Sequence, residues 1–216
     1  RFDDFWILNT ALTQSEVTQL MNGTYAFKAF ATTQALPAAP ASPSNLVASA
    51  ASTSSINLSW TDNSNNETGF EVWRSVNNSN NYRLLTTLDA NVHNYSDQAL
   101  FANVTYYYKV LAKGVGGNSS YSNQASVATP NNPPVLGSIS SFTMRFDSQK
   151  TLDISASDAD GENISLSFAT PLAFATFTNT GNGTGQLVFN PNSSQQGVYN
   201  LRVIANDTHS GADTSD

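Results

Sequence analysis

Apolar and polar residues alternate through the middle of the chain, and this two-residue period constrains the fold more than any other feature. The alternating apolar positions are Ile56, Leu58, Trp60, Phe70, Val72, Tyr106, Tyr108, Val110 and Ala112. Successive side chains of a β-strand point to opposite faces, so the pattern predicts strands that each bury one face. Turn-forming residues at 62–68, 77–81 and 114–120 separate these runs at the spacing of an antiparallel sandwich. No helical period lies between them, and we therefore predict an all-β chain.

Two proline-containing breaks divide the sequence. Residues 33–44 read TQALPAAPASPS, which cannot build a strand ladder, and PNNPP occupies residues 130–134. We expect tandem antiparallel β-sandwiches joined by Pro-rich linkers. The expected divisions are an N-terminal piece at 1–32, a linker at 33–42, one domain at 43–130 and another at 131–216. Since the sequence stops near the point at which a last strand should begin, we expect the second sandwich to have an incomplete edge.

The charge and cysteine content exclude several classes of protein. Charged residues are 12% of the chain, the formal net charge is -7, and only nine residues are Lys or Arg. Because no basic stripe is available to neutralise phosphates, we expect neither nucleic acid nor an anionic membrane as a partner. The absence of cysteine excludes disulfides, thiolate nucleophiles and cysteine-based zinc sites, and it favours a bacterial extracellular protein. No run approaches the ~18 apolar residues of a membrane helix, so we expect no direct membrane insertion.

Several motifs in the middle of the chain follow the fibronectin type III pattern. They are Trp60, GFEVWRS at 69–75, NYSD at 94–97 and LFANVTYYYKVLA at 100–112. The stretch of about residues 43–130 thus resembles a fibronectin type III domain, which implies a seven-stranded sandwich. The resemblance places Trp60 at the core tryptophan of the second strand and Tyr106 at the tyrosine-corner position. Ala102 replaces a proline of the family pattern.

The two flanking segments resemble other β-rich modules. The last contains LDISASDADGENISLSF at 152–168 and GVYNLRVIANDTHSG at 197–211. It is similar to a cadherin-like or bacterial immunoglobulin-like domain. The first, RFDDFWILNTALTQSEVTQL at 1–20, resembles the closing strand and short helix of a laminin-G-like (concanavalin-like) jelly roll. That resemblance implies that residues 1–32 are the C-terminal remnant of such a domain.

Asp158 and Asp160 are candidate calcium ligands. An Asp-x-Asp on one extended segment directs both carboxylates to the same side, and calcium prefers hard oxygen donors. The cadherin-like resemblance implies calcium at the junction with the preceding domain, and it adds Asp207 and the linker residue Asn132 to the ligand set. The family's acidic linker is missing at 128–131, so half of its usual ligands are absent. The alternative is a polar turn closed by Asx hydrogen bonds.

Trp73 and Tyr107 lie outside the alternating core positions of their strands. They are candidates for an exposed aromatic patch on which sugar rings could stack. The alternative is cross-strand packing that stabilises the sheet.

The remaining candidates for chemistry are weak. His93 and His209 belong to no nucleophile or metalloprotease motif. The sequence GNGTG at 181–185 precedes a strand pattern rather than a helix, and it predicts a hairpin turn. We therefore expect no enzyme activity.

The expected function is that of a non-catalytic adhesion and spacer region in a large secreted or cell-surface bacterial protein. Its expected partners are neighbouring modules of the same polypeptide, with surface glycans or other cell-surface proteins as ligands. The alternative is a set of accessory, carbohydrate-binding modules of a secreted glycoside hydrolase or peptidase whose catalytic domain lies outside this chain.

Overall fold

The structure is a computed structural model that describes Thr18, residues 37–209 and residues 211–215. The chain divides into two units, residues 1–36 and 37–216, and the second contains both sandwiches. The predicted laminin-G-like remnant falls, apart from Thr18, outside the described residues. No helix in the described part of the chain is long and apolar enough to cross a membrane.

Eight antiparallel strands form the first sandwich. They are β1 (Ser44–Ser52), β2 (Ser55–Thr61), β3 (Glu67–Val76), β4 (Arg83–Asp89), β5 (Asn94–Asp97), β6 (Thr105–Gly114), β7 (Gly117–Asn118) and β8 (Ala125–Ala128). One sheet has the order β1-β2-β5, and the other has the order β4-β3-β6-β7, with β8 also paired to β6. Since β3 occupies one side of β6, the short strands β7 and β8 share its other side. The sandwich thus has the seven strand positions that were predicted.

The alternating apolar residues form the core between these two sheets. Eleven buried side chains cluster here, namely Leu46, Ile56, Leu58, Trp60, Phe70, Val72, Leu100, Tyr106, Tyr108, Val110 and Ala112. The rings of Trp60 and Phe70 lie 5.8 Å apart. Full burial of a large apolar side chain contributes about 1.5–3 kcal/mol, so this cluster is the main source of the domain's stability.

A buried carboxylate links the two sheets. The side chain of Asp97 is 3% exposed and lies 2.9 Å from Nη1 of Arg74. It also accepts a hydrogen bond of 2.8 Å from the Tyr108 hydroxyl. Nearby, the Tyr106 hydroxyl oxygen accepts a 3.0 Å hydrogen bond from the Phe101 N–H, which ties the loop before β6 to the core.

The described part of the N-terminal linker packs on the first sandwich. Pro40 is buried, and the Asn66 side chain donates to the Ala38 carbonyl at 2.9 Å. A Cβ at Gly114 would lie 2.6 Å from Pro40 Cγ, so this close packing requires glycine.

Seven strands form the second sandwich. They are β9 (Val135–Leu136), β10 (Lys150–Ser157), β11 (Ser165–Phe168), β12 (Ala175–Gly181), β13 (Thr184–Phe189), β14 (Val203–Asn206) and β15 (Ala212–Ser215), with a 3-10 turn at Ser193–Gln195. The sheets have the orders β12-β13-β10-β9 and β11-β14-β15. Their buried cluster comprises Ile154, Ile164, Leu166, Val203 and Ala205.

Two further features of the second sandwich bear on the sequence predictions. Gly181 pairs with Thr184 across the β12–β13 turn, which confirms the hairpin predicted for 181–185. At the other end of the domain, β15 pairs with β14 only as far as Val203 opposite Ser215. The preceding residues 198–202 form no strand, and Val198 is 97% exposed.

Candidate metal centre

The linker between the two sandwiches is fixed by hydrogen bonds to the first domain. Thr129 is buried, and its hydroxyl donates to the Phe101 carbonyl at 2.7 Å and accepts from the Val104 N–H at 3.1 Å. The Asn103 N–H donates to the Pro130 carbonyl at 3.2 Å. The linker is therefore an ordered part of the junction.

Three carboxylates meet on the second domain at this junction. Asp158 follows β10 and Asp207 follows β14, strands that belong to opposite sheets. Glu162 lies in the turn after Asp158. One oxygen of each carboxylate lies within 4.8 Å of the others. Like charges this close repel one another unless a cation or donors compensate them.

A tight turn positions Asp158 and Glu162. The Asp158 Oδ1 atom accepts the Asp160 N–H at 2.7 Å and the Glu162 N–H at 3.5 Å. Gly161 has a φ of +76°, a conformation that glycine adopts without strain. The Asx turn considered as an alternative is thus present, but it uses only Oδ1. The Oδ2 atom of Asp158 is left for another ligand.

Asp207 is held by three donors. Its Oδ1 atom accepts from the N–H groups of His209 and Gly211, both at 2.7 Å, and its Oδ2 atom accepts from Nδ2 of Asn131 at 2.7 Å. Desolvation opposes ionisation of Asp207, but these hydrogen bonds outweigh it and hold its pKa below the ordinary value. A Cβ at Gly211 would lie 2.0 Å from Asp207 Oδ2, so glycine is required at this contact.

Glu162 connects the carboxylates to the first domain. Its Oε1 atom accepts from Nδ2 of Asn103 at 3.1 Å and lies 2.5 Å from Nδ1 of His209. The side chain of Glu162 is 12% exposed. Its second oxygen, Oε2, is buried.

Three buried oxygens at this junction have no hydrogen-bond partner among the described residues. They are Asp158 Oδ2, Glu162 Oε2 and Asn131 Oδ1. A buried acceptor without a partner costs about 1–3 kcal/mol, and more when it is charged. Carboxylate and carboxamide oxygens are the ligands that calcium takes in proteins, and the set therefore fits a hard divalent cation. The cation would supply the charge and the ligation that these atoms lack.

The structure brings only two of the four predicted metal ligands into this group. Asp158 and Asp207 belong to it. Asp160 and Asn132 instead bind each other, since the Asn132 N–H donates to Asp160 Oδ2 at 2.9 Å and Nδ2 donates to Oδ1 at 2.7 Å. The sequence analysis missed Glu162 and the linker residue Asn131. The only sequence signal for them was their position beside the predicted ligands.

The candidate patch residues Trp73 and Tyr107 lie on the sheet that contains β3 and β6, and both are half-buried rather than exposed. The Trp73 and Tyr121 rings pack edge to face with their centroids 6.1 Å apart, and Nε1 of Trp73 donates to Glu71 at 3.1 Å. Lys109, which pairs with Trp73 across the strands, lies 3.7 Å from the centroid of the Tyr121 ring. Such contacts stabilise a sheet surface. Tyr107 lies on the same strand as Lys109, opposite Ser75.

Comparison with known proteins assigns both halves of the described chain. Residues 41–128 match the family model for the fibronectin type III domain, and residues 131–216 match the model for the bacterial Ig domain. Of the two predicted resemblances for the last segment, the immunoglobulin-like one is the one that matches.

Two curated relatives come from Niallia circulans. An alpha-amylase is 38% identical over 95 residues, which is 43% of this chain and 7% of the amylase. Chitinase A1 is 39% identical over 94 residues, which is 42% of this chain and 12% of the chitinase. The chain thus spans only a small part of the length of either enzyme.

Solved structures similar to the chain include isolated fibronectin type III domains. An Fn3-like protein from Clostridium thermocellum is 29% identical with a TM-score of 0.38, and the match covers 44% of this chain and 98% of that chain. An FN3 domain of human collagen XX is 23% identical with a TM-score of 0.37, covering 44% and 99% of the two chains.

Proposed function

The chain contains a fibronectin type III domain followed by a bacterial Ig domain, and we propose that this pair is a non-catalytic spacer in an extracellular bacterial protein, stiffened by calcium at the domain junction. The observation that carries the proposal is the group of Asp158, Glu162 and Asp207, with its unpartnered buried oxygens, beside an ordered linker. A spacer must hold its neighbours at a fixed reach and orientation. A cation bound at the junction would hold the two domains in one orientation.

The cation would be held by oxygens from three segments of the chain. Asp158 and Glu162 come from the turn after β10, Asp207 from the end of β14, and Asn131 from the linker. Calcium takes six to eight oxygen ligands, so water or backbone carbonyls would complete the set. Because the linker contributes to the site, binding would fix the linker to the second domain.

The leading proposal for the parent protein is a surface adhesin, in which such pairs extend an adhesive region away from the cell. Its partners would be neighbouring modules and cell-surface ligands. The second candidate is an accessory region of a secreted hydrolase. The relatives named as an alpha-amylase and a chitinase favour this second candidate, since each shares with this chain a segment of the length of one domain, 95 and 94 residues.

Thermal unfolding of the full chain tests the proposed calcium site. The chain is stripped with a chelator and then melted with and without millimolar calcium. A ligand at 100 times its dissociation constant stabilises the folded state by about 2.7 kcal/mol, which raises the Tm of a domain of this size by roughly 10 °C or more. We expect this rise in the wild-type chain.

Matched variants separate binding at the junction from a general effect of charge. Asp158→Asn removes a proposed ligand and should abolish the rise in Tm. Asp153→Asn makes the same change on the exposed face of β10, where the side chain accepts from Gln186, and should leave the rise intact. An unchanged Tm of the wild-type chain on adding calcium would overturn the proposal.

A further inference from the structure

We infer that Asn103 of the fibronectin type III domain is a positioning residue for the cation site of the Ig domain, so that docking of the two domains orients Glu162, one of the ligands. The inference rests on the proposed calcium site. Its basis is the hydrogen bond of 3.1 Å from Asn103 Nδ2 to Glu162 Oε1, which crosses the junction.

The backbone of Asn103 is held by hydrogen bonds in the loop before β6, and its side chain is exposed. Its φ of +54° lies in the left-handed region, which asparagine tolerates better than most residues. Its N–H donates to the Pro130 carbonyl at 3.2 Å. The next residue, Val104, accepts from the Thr129 N–H at 3.0 Å and donates to the Thr129 hydroxyl at 3.1 Å. The Asn103 carboxamide therefore projects from a loop that is bonded to the linker.

This contact contributes, with that of His209, to the choice of the Glu162 oxygen that is available to a cation. A glutamate side chain has three rotatable bonds, and ordering it on binding costs conformational entropy. Asn103 and His209 together hold Oε1, and Oε2 remains buried without a partner. The carboxylate is thus pre-oriented before a cation arrives. Groups that orient ligands in this way affect metal affinity strongly.

The coupling also acts in the opposite direction. A cation bound by Glu162 would restrict the carboxylate that Asn103 contacts, and would so restrict the fibronectin type III domain relative to the Ig domain. Binding affinity and domain alignment are therefore linked through this hydrogen bond as well as through the linker, and by reciprocity each must change the other.

The test compares Asn103→Gly with a matched control, Asn91→Gly, in the full chain. Glycine keeps the positive φ at either position while it removes the carboxamide. Asn91 and Asn103 are both exposed, with φ values of +63° and +54°. They differ in position, since Asn91 follows β4 and Asn103 precedes β6 at the junction. Calcium binding is measured by isothermal titration calorimetry, and 15N relaxation of the calcium-bound chain measures the tumbling of each domain.

We expect calcium binding to be about 10-fold weaker in Asn103→Gly, the lower end of the range for residues that orient metal ligands, and unchanged in Asn91→Gly. We also expect one common tumbling time for both domains in the wild-type chain and two different times in Asn103→Gly. Wild-type affinity and a common tumbling time in Asn103→Gly would overturn the positioning role while leaving the calcium site in place. Failure of the wild-type chain to bind calcium would instead overturn the proposed function, and this inference with it.

Discussion

Removal of the Tyr108 hydroxyl should destabilise the fibronectin type III domain through one identifiable hydrogen bond. Tyr108 is fully buried, and its hydroxyl donates to Asp97 Oδ2 at 2.8 Å. Tyr108→Phe retains the ring and its packing. Asp97 keeps its contacts of 2.9 and 3.0 Å with Arg74, so the variant does not leave an unpaired buried charge.

The size of the effect follows from the charge of the acceptor. A hydrogen bond to a charged group contributes about 1.5–3 kcal/mol, whereas one between neutral groups contributes about 1 kcal/mol. We therefore expect Tyr108→Phe to lower the free energy of unfolding by about 2 kcal/mol. Tyr106→Phe is the matched control, because it removes the neutral bond between the Phe101 N–H and the Tyr106 hydroxyl. Its expected loss is about 1 kcal/mol.

Urea unfolding at pH 7, followed by tryptophan fluorescence, measures both losses, since Trp60 lies in the same core. A loss for Tyr108→Phe no larger than that for Tyr106→Phe would refute the reasoning, because Arg74 alone would then satisfy the carboxylate.

The pH dependence of the free energy of unfolding supplies a second check. Desolvation, followed by the hydrogen bond to Asp97, raises the pKa of Tyr108 above its ordinary value of 10.0. The folded state thus favours the protonated Tyr108 hydroxyl. The folding stability that this preference contributes is complete below pH 10.0 and is lost as the pH rises above that value. Tyr108→Phe should reduce the alkaline loss of stability by this contribution, and the raised pKa values of Tyr82 and Tyr95 account for a remaining loss.

Three further variants test other parts of the molecule. The Ser64 hydroxyl is the largest influence that lowers the pKa of Glu67 below 4.5, so the resulting stabilisation is present above that pH and is lost at lower pH. Ser64→Ala should therefore destabilise the chain more at pH 7 than at pH 3 in urea unfolding, and equal losses would contradict this account. Gly211→Ala should weaken calcium binding, measured by calorimetry, by at least about 10-fold, because the added Cβ would displace Asp207. Gly197→Ala is the control and should have no effect, since a Cβ at that position would lie no closer than 3.6 Å to another atom. Trp73→Ala should lower the free energy of unfolding by about 1–2 kcal/mol. It should leave the retention of the chain on insoluble polysaccharides unchanged. If the wild-type chain is retained and the variant is not, the result would favour the hydrolase-accessory candidate.

The core of the first sandwich could be predicted from the sequence because burial follows strand periodicity directly. Ile56, Leu58 and Trp60 alternate with polar residues, and all three are buried. The two-residue period reports which face of a strand is covered, whatever the order of the strands. The pairing of β7 and β8 with the same edge of β6 had no comparable signal, because both strands are short and follow a turn-rich segment.

The candidate metal centre was only half predictable because its ligands lie on loops. Asp158 and Asp207 each follow a strand directly, so the end of the sandwich at which they lie follows from the strand pattern. Glu162 reaches the group only through the turn at Gly161, whose positive φ is not encoded by any periodicity. The choice of Asn131 over Asn132 is a matter of one residue in a linker, where no ladder fixes the register. Sequence patterns determine strand faces, but they do not determine which side of an irregular segment a side chain occupies.

The two sandwiches differ in the size of the apolar cluster that they bury, and a cation site would add to the stability of the second. The buried cluster of the first domain has eleven members among the described residues, and that of the second has five. The three carboxylates lie at the end of the second domain that meets the first, and in the absence of a cation their mutual repulsion destabilises that end of the second domain. A bound cation would turn the repulsion among the carboxylates into a net attraction. It would also connect the linker, through Asn131, to both sheets of the second sandwich, since Asp158 follows β10 and Asp207 follows β14. The same ion would thus stabilise the second domain and fix its orientation relative to the first.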